Sequence, residues 1–73
     1  LLMKKNIIVN GMSCQKCVAH VKEALEELKD VNVLDVNLET KIAVIESNQE
    51  INDEDIKSII DEYGYEVESI ETI

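Results

Sequence analysis

Two hydrophobic rhythms alternate along this chain, and their order leaves few folds open. Lys5 to Val9 has the period-two spacing of a strand, with Ile7 and Val9 on one face. From Gln15 to Lys29, the residues Val18, Val21, Leu25 and Leu28 fall on one helical stripe. Strand spacing returns from Val31 to Leu38, where Leu34, Val36 and Leu38 alternate with Asp35 and Asn37. It continues from Ile42 to Glu46, with Ile42 and Val44 expected to point inward. A second helix follows, and Tyr65 to Ile70 reads as the last strand.

The joins are marked by their own chemistry. Asn10-Gly11 breaks the first strand. Glu39-Thr40-Lys41 is short enough for a hairpin, although it lacks the usual Gly or Asn. Asn52 can cap the second helix, with Asp53, Glu54 and Asp55 in a first turn where the macrodipole favours negative charge. Ile51 and Ile56 have the spacing of a hydrophobic staple, and Ile56, Ile59, Ile60 and Tyr63 form the stripe to be buried. Gly64 stands where a left-handed helix stop is expected.

Strand, helix, strand, strand, helix, strand is an α+β chain made of two βαβ-like halves, a split βαβ arrangement. Right-handed crossovers place both helices on one face of the sheet. The other face is left to water, which suits Asn6, Asp35, Asn37, Glu66 and Glu68, and also receives Ile8, Val33 and Ile45. The cysteine-bearing first loop and the Gly64-Tyr65 turn are then expected at the same end of the sheet.

Seventy-three residues form one domain, spanning 1–73, with no linker and no proline. A chain of this size buries only about 60–65% of its unfolded surface, so it has no room for a deep substrate pocket with a catalytic apparatus. A non-enzymatic role is expected. Leu1 and Leu2 ahead of Met3 read as a cloning remnant, and Met3 as the natural start of a free-standing protein. The apolar run after Lys4 and Lys5 is only Ile7-Ile8-Val9, too short for a secretory core, so a reduced cytoplasmic setting is expected. The net charge of −9 argues against nucleic acid and against anionic membrane surfaces as partners.

The chemistry is concentrated in Gly11-Met12-Ser13-Cys14-Gln15-Lys16-Cys17, which holds both cysteines of the chain. In a reducing compartment a C-x-x-C pair reads as metal-binding or redox-active. As a staple it is poor, because so short a loop hardly restrains the unfolded chain. Cys14 is expected just before the first helix and Cys17 in its first turn, where free amides and the helix dipole favour thiolate. Two soft sulfurs suit a soft cation of low coordination number, Cu(I), whereas zinc and iron–sulfur sites recruit more ligands. An open pair also lets an incoming thiolate add before an outgoing one leaves.

G-M-x-C-x-x-C between a strand and an amphipathic helix resembles the heavy-metal-associated domain family, and the resemblance covers essentially the whole chain. It implies a ferredoxin-like βαββαβ open-faced sandwich: a four-stranded antiparallel sheet with two helices on one face. It also implies that Cys14 and Cys17 are the metal ligands, and that Met12 packs beneath the loop as an anchor. Tyr65 matches the position where bacterial chaperone-like members carry Tyr, ATPase domains Phe and eukaryotic chaperones Lys. Ser13 stands where zinc-preferring relatives place Asp. The chain is therefore most similar to a bacterial soluble copper chaperone. The partners so implied are the metal-binding domain of a copper P-type ATPase or a copper-responsive regulator. A monomer is expected without metal, and a metal-bridged dimer sharing four thiolates is open with it.

Around the sulfurs, Tyr65 is a candidate shield or hydrogen-bond donor, and Lys16 can offset the charge of a metal bis-thiolate. His20 lies one turn past Cys17, off the apolar stripe, as an exposed helix residue with auxiliary ligation or a dimer contact as its functional alternatives. The competing functions are the N-terminal metal-binding domain of a heavy-metal P-type ATPase, a mercury, zinc or cadmium carrier, and a thiol–disulfide oxidoreductase. The last usually carries W-C-G-P-C, and this chain has neither Trp nor Pro.

Overall fold

The computed structural model describes residues 3–73; Leu1 and Leu2, read above as a remnant, lie outside the described residues. The elements are β1 (Met3–Asn10), α1 (Gln15–Glu26), β2 (Val31–Val36), β3 (Ile42–Ser47), α2 (Asp53–Glu62) and β4 (Glu66–Thr72). All strand pairs are antiparallel, in the order β2-β3-β1-β4, so the two central strands are β1 and β3. Ile7, Val9, Ala43 and Ile45 of the central strands share one core with Val21, Ala24 and Leu25 of α1 and Ile56 and Ile60 of α2. This is the four-stranded ferredoxin-like sandwich implied by the sequence. No helix among the described residues is long and apolar enough to cross a membrane.

The inward face of β3 is the reverse of the expectation. Ala43 and Ile45 are fully buried, whereas Ile42 and Val44 are only half-buried. Four apolar residues run consecutively from Ile42 to Ile45, so alternation could not set the phase, and a one-residue slip turns every side chain over. Ile45, expected on the wet face, is thus a core residue. In β2 the pairing with β3 shifts between Val33 and Asp35, an irregularity that adds a residue to β2. Val33, also expected outward, packs on the core together with Val36, while Leu34, expected inward, is 47% exposed.

The termini follow the caps. Asn52 accepts the Glu54 amide at 2.9 Å. At the other end of α2, the Gly64 amide bonds the Asp61 carbonyl and the Tyr65 amide bonds the Ile60 carbonyl, with Gly64 at φ +90°. That is a complete Schellman stop, in which glycine takes the left-handed residue. α1 ends at Glu26, three residues short of the expected end at Lys29, and Asp30 takes the left-handed conformation at φ 62°. The β2–β3 hairpin replaces the missing glycine with two devices. The Asn37 side chain accepts the amides of Glu39 and Thr40, and Lys41 itself adopts φ 64°.

One buried group was not anticipated. The Lys5 ammonium is almost wholly enclosed, donating to the Ile51 carbonyl and to the Asp53 carboxylate in the first turn of α2. The pair ties β1 to α2, and pairing is what makes a buried ammonium tolerable.

Candidate metal centre

β1 ends at Asn10, and Gly11 turns the chain out of the sheet at φ +98°. The next side chain, Met12, returns to the core and is 7% exposed, so the loop is anchored by its thioether residue. Ser13 and Cys14 are then held in the open, and α1 begins at Gln15.

Cys14 is the N-cap residue, with extended backbone and no side-chain capping bond. Its carbonyl accepts the amides of Cys17 and Val18 at 3.0 and 3.3 Å, which winds the first turn and carries Cys17 around toward Cys14. The two sulfurs stand 3.3 Å apart, and neither is in a disulfide. Cys14 is exposed and Cys17 is half-exposed. α1 has no acidic residue in its first turn, whereas α2 has three. The favourable field at the start of α1 is left to the sulfurs.

Tyr65 follows the Schellman stop of α2 and reaches the same place. Its ring lies over Gly11, where an added Cβ would meet Cδ1 at 3.5 Å. Its hydroxyl is the largest influence on the Cys17 thiol, favouring the ionised form as a donor toward the sulfur. With further hydrogen bonds from the Ser13 backbone and the Cys14 side chain, it brings Cys17 from the usual 9.0 down to about 6. The same contact, helped by burial and by the charge of the two cysteines, pushes Tyr65 up to about 12. Cys17 is thus a thiolate at neutral pH while Tyr65 remains a donor. Stability linked to this ionisation is complete above the range of the unfolded thiol and fades as the pH falls through about 6.

Alkylation by iodoacetamide checks the assignment. Anaerobically, the rate at Cys17 should reach half its plateau near pH 6 and be level by neutrality. A rate still climbing above about pH 8, as for an ordinary thiol, would contradict it.

The remaining candidates are arranged unequally. The Ser13 hydroxyl is 3.9 Å from the Cys17 sulfur. Lys16 is exposed on the first turn of α1, between the two cysteines in sequence. His20 meets Tyr65: its Nδ1 is 3.2 Å from the Tyr65 hydroxyl. Among the described residues, no group of three or more His, Cys, Asp or Glu side chains converges, so the centre offers two sulfurs. The His20–Tyr65 contact was missed because it joins residues 45 positions apart, and no local pattern signals it.

Comparison with known proteins gives the same picture. The heavy-metal-associated domain family matches residues 6–66. The chain is 38% identical to the copper chaperone CopZ of Bacillus subtilis, over 88% of this chain and 94% of that protein. It is 36% identical to a probable copper-exporting P-type ATPase of Archaeoglobus fulgidus over 89% of the chain, but spans 8% of the ATPase. It likewise spans 10% of a mercuric reductase of Shewanella putrefaciens, at 37% identity over 78% of the chain. A solved CopZ metallochaperone superposes with a TM-score of 0.79 at 31% identity, covering 88% of this chain and 97% of the other. A family match that runs through the strand, the cysteine loop and both helices leaves one conclusion: the chain belongs to the heavy-metal-associated domain family.

Proposed function

We propose that the chain is a single-domain, non-enzymatic copper chaperone of the cytoplasm. It takes up Cu(I) on the Cys14 and Cys17 thiolates. It then passes the ion by ligand exchange to the metal-binding domain of a copper-transporting P-type ATPase or to a copper-responsive regulator. The observation that carries this reading is the pair of unbridged sulfurs 3.3 Å apart at the open start of α1.

Soft thiolates favour Cu(I), and two of them satisfy an ion that accepts low coordination. A closed four-ligand cage holds a metal for structure. A two-sulfur site on the surface leaves room for a third sulfur to approach, so transfer passes through a shared-ligand state and no free ion is released. Met12 fixes the height of the loop, Tyr65 holds Cys17 as thiolate, and Lys16 lowers the cost of the anionic complex. The similarity to CopZ chaperones over nearly their whole length supports the same role.

An anaerobic titration with Cu(I) against a competing bis-thiolate or bicinchoninate chelator tests this. One ion per chain should be withdrawn from the chelator, and affinity should fall as the pH drops toward 6, where protons compete for Cys17. The loaded chain should then deliver copper to a second heavy-metal-associated domain on mixing. Failure to compete, or binding of Zn(II) with Cu(I) left on the chelator, refutes the proposal.

The match to the archaeal ATPase favours a second reading, the metal-binding domain of such a pump. The site chemistry would be identical. A coding sequence that continues from this segment into membrane-spanning helices would decide for it.

A further inference from the structure

The stop at the end of α2 holds two phenols, one on each side of Gly64, and both reach across to α1. The Tyr63 hydroxyl donates to the Glu27 carboxylate. The Tyr65 hydroxyl meets Nδ1 of His20 at 3.2 Å. His20 and Glu27 are seven residues apart, two turns along one face of the helix. Uptake of an ion on two sulfurs explains neither contact.

Glu27 is also out of place by local rules. It is the C-cap of α1, whose last turn has no basic residue. The helix dipole disfavours a carboxylate there. A residue that breaks a local rule is expected to be compensated elsewhere. Here the compensation comes from α2, where Tyr63 supplies the proton. The bond to Glu27, with burial and the charges of Glu27, Glu23 and Glu62, pushes the Tyr63 phenol up to about 12, so it stays a donor at neutral pH.

The path from Tyr63 to the cysteine loop is short. Gly64 and Tyr65 are held by bonds from their amides to the Asp61 and Ile60 carbonyls. Two residues past Tyr63, the Tyr65 ring lies on Gly11, with Cδ1 3.5 Å from where a Cβ would stand. Gly11, at φ +98°, is the residue that turns the chain out of β1 toward Met12 and Cys14.

We propose that Tyr63 and Glu27 are positioning residues of the cysteine loop: their hydrogen bond holds the α2–β4 turn against α1 and so keeps the Tyr65 ring on Gly11. Glu27 acts from about 15 Å along α1 from Cys17, at 1.5 Å per residue. The consequence for copper rests on the proposed function: a loop already held in shape has less ordering to undergo on binding.

The geometry can be read by NMR on the metal-free protein. The parent should show a nuclear Overhauser effect between the Tyr65 ring and the Gly11 α-protons. Tyr63→Phe, which keeps the ring and removes the hydroxyl, should weaken it and shift the Gly11 amide resonance. Glu27→Ala should do the same. Glu27→Gln, whose amide oxygen still accepts, should restore most of the parent signal. The double variant Tyr63→Phe with Glu27→Ala should match either single one, since the pair acts as a unit. A bond that only adds stability would lower the melting temperature and leave these native-state signals in place. Signals at Gly11 and Tyr65 that ignore Tyr63→Phe, or a Glu27→Gln that behaves as Glu27→Ala, overturn the proposal.

Copper competition supplies the second arm. Tyr63→Phe should weaken Cu(I) binding by about 2–10-fold, the range one hydrogen bond supports, and Glu27→Gln by less. Parent-like affinity in Tyr63→Phe despite a displaced Gly11 overturns the link to copper. If the parent itself leaves Cu(I) on the chelator, the proposed function fails, and the NMR comparison alone decides the positioning role.

Discussion

Serine at Cys14 is expected to weaken Cu(I) binding by more than about a hundredfold, because loss of a ligand exceeds the 10–100-fold cost of losing a group that merely supports one. The hydroxyl is a hard, neutral donor, and it cannot replace a thiolate for a soft ion. The same substitution should leave the fold intact and slightly firmer. Cys14 occupies the N-cap of α1 and makes no side-chain capping bond. Serine is among the preferred residues at that position, and a capping bond gained there is worth about 0.5–1 kcal/mol. The two effects therefore have opposite signs. A chelator competition should show the affinity collapse, and a thermal melt of the metal-free protein should show an equal or higher midpoint. Cys17→Ser should lose affinity to a similar degree, with no capping gain. Copper uptake that survives serine at both positions would remove the basis of the proposed function.

Leu25→Ala should bring the protein close to unfolding. Leu25 is fully buried on α1 within the shared core. Truncating such a leucine costs about 3–5 kcal/mol, from lost burial and from the cavity left behind. A chain of 73 residues has only roughly 4–11 kcal/mol in total, at the usual stability per residue. Urea unfolding followed by circular dichroism should show the midpoint falling by half or more. Leu34→Ala is the matched comparison, since Leu34 is 47% exposed. Its effect should stay within about 0.5 kcal/mol. Equal losses at the two leucines would mean that β2 is turned over relative to the arrangement described here.

That comparison also marks where sequence reading stopped. The order of elements was legible because each signal is local. The α1 stripe repeats within one helix, Asn52 caps a turn two residues away, and Gly64 ends the helix it follows. The cysteine loop was legible for the same reason: the N-cap position of Cys14 and the first-turn position of Cys17 depend only on where the helix starts. The facing of β2 and β3 was not. Ile42-Ala43-Val44-Ile45 is apolar on both faces, and the irregularity after Val33 resets the alternation without a glycine to announce it. The buried Lys5 was invisible because lysine is rarely fully buried, and its partner Asp53 lies 48 residues away. Tyr65 was placed beside the site by resemblance, but its bond to His20 exists only in the folded arrangement.

The loop is pinned through Met12, while the sulfurs of Cys14 and Cys17 stand outside the fully buried set. Zinc fingers, by contrast, collapse into disorder once stripped of their ion. Here the buried core is assembled from side chains other than the two cysteines. If the proposed function holds, such a carrier is expected to keep its shape between one ion and the next.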